Sequence, residues 1–234
     1  MKYLFVFLAM AVLLSCESEN GEDEDHEGDD PGLIAYFPLD STYADESGNG
    51  IILEVHGEPE FVEGADETAF SALLLDGEDD YLVAAIGKLD TFSISMWARS
   101  YRYFVGEWPR HRSTVFDYSN KQVYGYVDGV SGATQLNFGI GAEPLTGVIP
   151  DNMYNWFHLY VAVGHEVKIY LNGSLSSAEP VEGSNAYLHE WLYLGRASED
   201  EDIDLTYFYG PLDEIRIYKR ILGQEEIDEL FMKQ

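Results

Sequence analysis

A single cysteine in 234 residues rules out an intramolecular disulfide as a way of holding this chain together. Basic residues are scarce as well, with 13 Lys and Arg against 43 Asp and Glu and a net charge of −30. A surface of that sign repels nucleic acid and anionic lipid headgroups, so neither is expected as a partner. No apolar run is long enough to cross a bilayer; the longest, Tyr3 to Leu14, is too short. Helical periodicity is confined to the tail, where Ile227, Leu230 and Phe231 have the i, i+3, i+4 spacing of one buried face. Internal repeats and a second domain boundary are also missing.

What the chain has in quantity is Tyr (17), Phe (12) and Gly (22), a composition that favours strands and turns. The organising stretch runs from Trp156 to Gly173. Phe157, Leu159, Val161 and Val163 fall at every second position, as do Val167, Ile169 and Leu171, and Gly164, His165 and Glu166 close the pair as an antiparallel hairpin. The other face of its first strand, Trp156, His158, Tyr160 and Ala162, is only partly polar and is expected to lie under loops or against a bound molecule. Short strands are expected at 33–39, 51–55, 72–75, 81–84, 93–99, 113–117, 122–127, 135–140, 191–195 and 210–218. Their spacing predicts an all-β sandwich or barrel with a short C-terminal helix.

The first 16 residues read as a secretion signal, with Lys2 ahead of the apolar run. Leu13-Leu14-Ser15-Cys16 resembles the lipobox of bacterial lipoproteins, which implies acylation of Cys16 and a membrane association made through lipid alone. Residues 17–31 form an acidic tether: nine acids between Glu17 and Asp30, with no Lys or Arg, cannot collapse. An acidic run after the acylated cysteine resembles the signal that sends some Gram-negative lipoproteins to the outer face of the outer membrane, so surface display is expected. Without residues 1 to 30, which hold one Lys and nine acids, the domain at 32–234 still carries −22.

Several separated segments resemble one family. Gly32 to Asp40 with Asp45 to Gly50, Leu75 to Leu82, Phe92 to Trp97, Trp156 with His158, Leu171-Asn172-Gly173, Leu194-Gly195-Arg196 and Leu212 to Tyr218 are similar, in order, to landmarks of bacterial laminin-G-like domains of the concanavalin A-like lectin/glucanase superfamily. The resemblance implies a two-sheet antiparallel jelly-roll sandwich whose first and last strands are neighbours. It also implies a calcium ion pinning the N-terminal loop to the last strand, with Asp40, Asp45 and Asp213 as the acids at matching places. Residues 101–113 match no landmark.

Catalytic patterns fail on inspection. Glucanases of this fold carry paired acids on one strand, about 5 Å apart in retaining enzymes, but the nearest string, Glu226-Ile227-Asp228-Glu229, lies on the expected helix. His165-Glu166 and His189-Glu190 meet Ile169 and Tyr193 where a zinc peptidase needs histidine, and Gly129-Val130-Ser131-Gly132 lacks the spacing of a nucleophile elbow. Asp200, Asp202 and Asp204 alternate without the Gly and Glu of a calcium loop. The expectation is therefore a protein that binds and does not cut. Sugar recognition asks for aromatic faces beside polar groups, and the candidates are Tyr101, Tyr103, Trp108 and Arg110 in the one basic segment, with Tyr124, Tyr126 and Trp191. The expected partner is a glycan or glycoprotein; a scaffold role in a surface protein complex and, behind it, a glycoside hydrolase are the alternatives.

Overall fold

The computed structural model describes residues 30–101, 112–118, 123–130, 133–140, 143–144, 154–180, 190–198 and 205–233. Cys16 and the signal segment lie outside the described residues, as do Tyr103, Trp108 and Arg110.

The elements in chain order are β1 (Leu33–Phe37), β2 (Leu53–His56), β3 (Glu60–Val62), β4 (Ala72–Asp76), β5 (Tyr81–Ala85), β6 (Phe92–Ala98), β7 (Arg112–Tyr118), β8 (Val123–Val130), β9 (Ala133–Ile140), β10 (Glu143–Pro144), β11 (Phe157–Val163), β12 (Glu166–Leu171), β13 (Ser174–Pro180), β14 (Trp191–Leu194), β15 (Leu205–Thr206), β16 (Tyr209–Tyr218) and α1 (Gln224–Met232). The first sheet runs β13-β12-β11-β6-β16-β4-β3, and β1 also pairs with β16. The second runs β10-β9-β8-β7-β14-β5-β2, with β15 on β7. All pairings are antiparallel except β15 with β7, and the two sheets form the jelly-roll sandwich the sequence predicts, with β1 beside β16.

The period of two explains the core. Phe92, Ile94, Met96 and Ala98 of β6 and Phe157, Leu159, Val161 and Val163 of β11 face inward and meet Leu82, Phe116, Phe138 and Leu194 of the second sheet in one cluster. The other face of β6 and β11 is buried too, and here the sequence expectation needs correcting. His158, Tyr160 and Ala162 lie beneath α1 instead of under loops or a ligand. Ile227 and Leu230 of the helix pack with Tyr160, Ala162 and Tyr218, and Phe231 stacks on Trp97 with ring centres 5.7 Å apart. Two bonds fix the start of the helix: Tyr160 Oη accepts the Leu222 amide at 2.7 Å, and Glu226 reaches back to the Gly223 amide at 2.7 Å. Among the described residues no helix is long and apolar enough to cross a membrane.

Chain order continues beyond the expected tether boundary, since Asp30 already belongs to the fold. Arg220 pairs with it at 2.8 Å and with Glu226 at 2.7 Å, so the entry of the domain is tied to the end of β16 and to α1.

Candidate functional site

Among the described residues, two regions collect polar and aromatic side chains. The first is the outer face of the second sheet. Because Leu82, Ala84, Phe116, Val123, Val127, Leu136, Phe138, Leu192 and Leu194 point into the core, their alternates point outward. Register then places Gly139, Tyr124, Asp117, Tyr193, Val83 and Glu54 in one row across β9, β8, β7, β14, β5 and β2. A bulge in β7 between Thr114 and Phe116 resets the alternation and brings Asp117 to this face.

The rings on this face are packed against one another. Tyr124 and Tyr126 stack with centres 5.8 Å apart and planes 17° from parallel. His56 stacks on Tyr81 at 4.2 Å, and the Arg196 guanidinium lies 4.6 Å from the centre of the same ring. The turn after β14 folds back so that Ser198 donates to Asp117 Oδ2 from both its amide and its hydroxyl, at 2.9 and 2.8 Å. This polar step separates the aromatic cluster on β8 and β9 from the one on β14, β5 and β2. Burial raises the pKa of Tyr193; Arg196 opposes the shift, and Tyr81, Asp117 and Glu54 add to it. Its hydroxyl is therefore a neutral donor and acceptor at physiological pH.

The sequence candidates divide across the molecule. Tyr124, Tyr126 and Trp191 share this outer face, but only Tyr124 and Trp191 are accessible. Trp191 is 37% exposed, whereas Tyr126 is 4% exposed and packs. Tyr101 lies elsewhere, against Tyr209 at 5.5 Å and under Arg99 at the end of the first sheet. Tyr81, Tyr193, Arg196, His56 and Glu54 are not among the binding candidates read from the sequence. Alternation around Leu82 and Leu192 marks some of them as outward, but only the strand order brings them together.

The second region is a cavity of about 280 Å³ where β1 and β4 part company along the same edge of β16. A bulge at Glu214, whose φ is 53°, puts both Asp213 and Arg216 on the outer face of the first sheet. Asp40, Asp66, Asp213 and Glu214 line the cavity with Tyr36, Trp97 and Arg216. Burial pushes the Asp213 pKa up to about 7, and its Oδ2 accepts the Ala65 amide at 2.9 Å. Burial and the charge of Asp66 also raise Asp40. Left-handed backbone at Leu39, Ser41, Glu67 and Phe70 surrounds the same place.

Asp45 is not among the residues lining this cavity. Its oxygens accept amides of Tyr36, Ser47 and Ile51 at 2.8 to 3.0 Å, and these bonds outweigh burial and lower its pKa. Asp76, Asp79 and Asp80 bring one oxygen each within 4.8 Å of one another, a set that can hold a metal ion. Two of the three are already occupied as turn acceptors: Asp76 takes the amides of Glu78 and Asp79, and Asp80 takes those of Glu58 and Asp76.

Two facing antiparallel sheets with paired first and last strands define a lectin-type jelly roll. The family profile described as the concanavalin A-like lectin/glucanases superfamily matches residues 76–228, and the chain belongs to that family. No curated protein matches in sequence. Among solved structures it is similar to domain 4 of AbnA, a GH43 extracellular arabinanase from Geobacillus stearothermophilus, in complex with arabinotriose. The TM-score is 0.64 and the identity 19%, with 86% of this chain and 98% of that one covered. It is also similar to botulinum neurotoxin type C, whose cell entry depends on two ganglioside molecules (TM-score 0.65, 15% identity, 86% and 50% covered). A third is the binding domain of botulinum neurotoxin DC in complex with rat synaptotagmin II (TM-score 0.61, 14% identity, 86% and 51% covered). This chain spans about half of each toxin chain. At these identities the likeness establishes the fold, which the chain thus shares with carbohydrate- and ganglioside-binding domains.

Proposed function

We propose that this protein is a non-catalytic glycan-binding module held outside the cell by acyl chains on Cys16. The carrying observation is the outer face of the second sheet, where Tyr124 stands on one side of Asp117 and Tyr193 and Trp191 on the other, with Tyr81, Arg196 and Glu54 beyond them. Aromatic faces suit the C–H side of a sugar ring, and the polar groups suit its hydroxyls. Glu54 and Asp117 lie on different strands, with β5 and β14 between them, roughly three strand spacings or 14 Å apart. That is wider than either carboxylate geometry for glycoside hydrolysis. The lipobox and acidic run support display on the outer-membrane surface of a Gram-negative cell. A calcium ion with Asp40, Asp66 and Asp213 as ligands belongs to the same reading: on top of burial, the charge of Asp66 raises Asp40 and that of Asp40 raises Asp213, while Asp66 accepts from Thr68 and Ser71, and the three carboxylates on one cavity supply the hard oxygens such an ion prefers.

A second reading, a protein-docking subunit, draws on the Arg99, Tyr101 and Tyr209 cluster at the root of the basic segment. Co-sedimentation with arabinan, xylan, mannan and β-glucan, followed by chromatography of the supernatant, separates the readings. Retention on at least one polysaccharide with no released sugar is expected. Released oligosaccharides would make the protein a hydrolase, and retention on none, with capture of a partner protein, would favour docking.

A further inference from the structure

Side chains in a strand ordinarily stand off the sheet, and Tyr124 does not. It pairs with Gly139 on β9, and a Cβ at residue 139 would lie 2.2 Å from Tyr124 Cζ and 2.4 Å from its Oη, too close for both to fit. The hydroxyl end of the ring therefore leans over β9, into the space that a side chain at 139 would fill. Tyr126, one step along β8, stacks beside it at 17° and is buried, so it braces the ring. Asn137, half-buried opposite Tyr126, offers an amide donor and acceptor next to this floor.

We infer that this part of the face takes an internal stretch of a polysaccharide lying flat on the sheet, with Tyr124 as the stacking residue and Gly139 as the residue that positions its ring. The inference rests on the glycan-binding reading and names its ligand more closely. A ring leaning over the sheet meets one sugar and encloses nothing, so a single sugar ring gains little from it. Useful affinity has to come from several rings in series. The next aromatic positions, Tyr193 and Trp191, lie on β14, two strands away across β7, or roughly 10 Å. A disaccharide or longer segment covers that distance, with Ser198 on Asp117 between the two contacts.

Two measurements on the full chain test this. Calorimetry with arabino-, xylo-, manno- and cello-oligosaccharides of increasing length should show affinity rising with length for at least one series. Monosaccharide binding as tight as that of the longest member would overturn the inference while leaving glycan binding intact; loss of binding to every series and polysaccharide would overturn both. For the positioning role, Gly139→Ala should weaken binding roughly tenfold, equivalent to about 1.4 kcal/mol. In a Tyr124→Ala background it should have no further effect on binding. A ring laid over a glycine also steadies strand pairing, so melting temperature is followed alongside. A Gly139→Ala variant that melts earlier yet binds as the parent does would reduce the pair to a structural role.

Discussion

His158 shows how a residue can look functional in sequence and be structural in the fold. It is 1% exposed, its Nε2 lies 2.8 Å from Ser95 Oγ, and its Nδ1 has no partner. Burial, helped by the charge of Arg216, lowers its pKa to about 4. The unfolded chain, with an ordinary histidine near 6.5, then binds more protons between those values. Stability from this residue is complete above about pH 6.5 and is lost as pH falls toward 4, on the order of 3 kcal/mol in all. Urea unfolding from pH 7 to pH 4 should show a steeper decline for the parent than for His158→Gln; equal slopes would refute the burial argument. Other residues were legible for plain reasons. Tyr124 and Trp191 flank inward-facing neighbours, so alternation alone marks them as outward. Tyr126 has the same signature, and its burial depends on what packs over it, which alternation does not encode. Asp45 and Asp66 both accept turn amides, and only the loop path decides that the second also lines the cavity.

At the scale of elements, strand period exposed most of the sandwich because β6, β11 and β16 carry dense apolar alternation. β3, β10, β13 and β15 escaped notice: β13 reads Ser174 to Pro180 with almost no apolar face, since it is an edge strand. The covering of β11 by α1 escaped too, because the contact of Tyr160 and Ala162 with Ile227 and Leu230 joins residues far apart in sequence. The bulge of β16 has a functional reading at this scale. By turning Asp213 outward where β1 and β4 separate, it aims a buried carboxylate at Asp40 and Asp66. If calcium closes that gap, saturating calcium should raise the melting temperature over a chelated sample. At about 100 times its dissociation constant the gain is ~2.7 kcal/mol. Asp213→Asn should abolish the gain, whereas Asp45→Asn should keep it despite a lower starting stability. An identical melting temperature with calcium and with chelator would remove the ion from the account.

Over the whole molecule, the two outer faces of the sandwich are built differently. α1 and the chain entry, clamped by Arg220 between Asp30 and Glu226, occupy the first sheet. The chain thus enters the fold at Asp30 on the helix-covered side, and the aromatic face of the second sheet is on the opposite side of the core. The domain charge of −22, read from the sequence, opposes adhesion to an anionic surface and keeps that face available. Composition made this polarity of charge visible from the outset, but which sheet α1 covers became clear only with the strand order. The most direct measurement is a crystal structure of the protein soaked with the longest oligosaccharide it retains. The account predicts sugar rings over Tyr124 and toward Tyr193 on the outer face of the second sheet; sugar seated in the Asp40, Asp66 and Asp213 cavity, with that face bare, would contradict it.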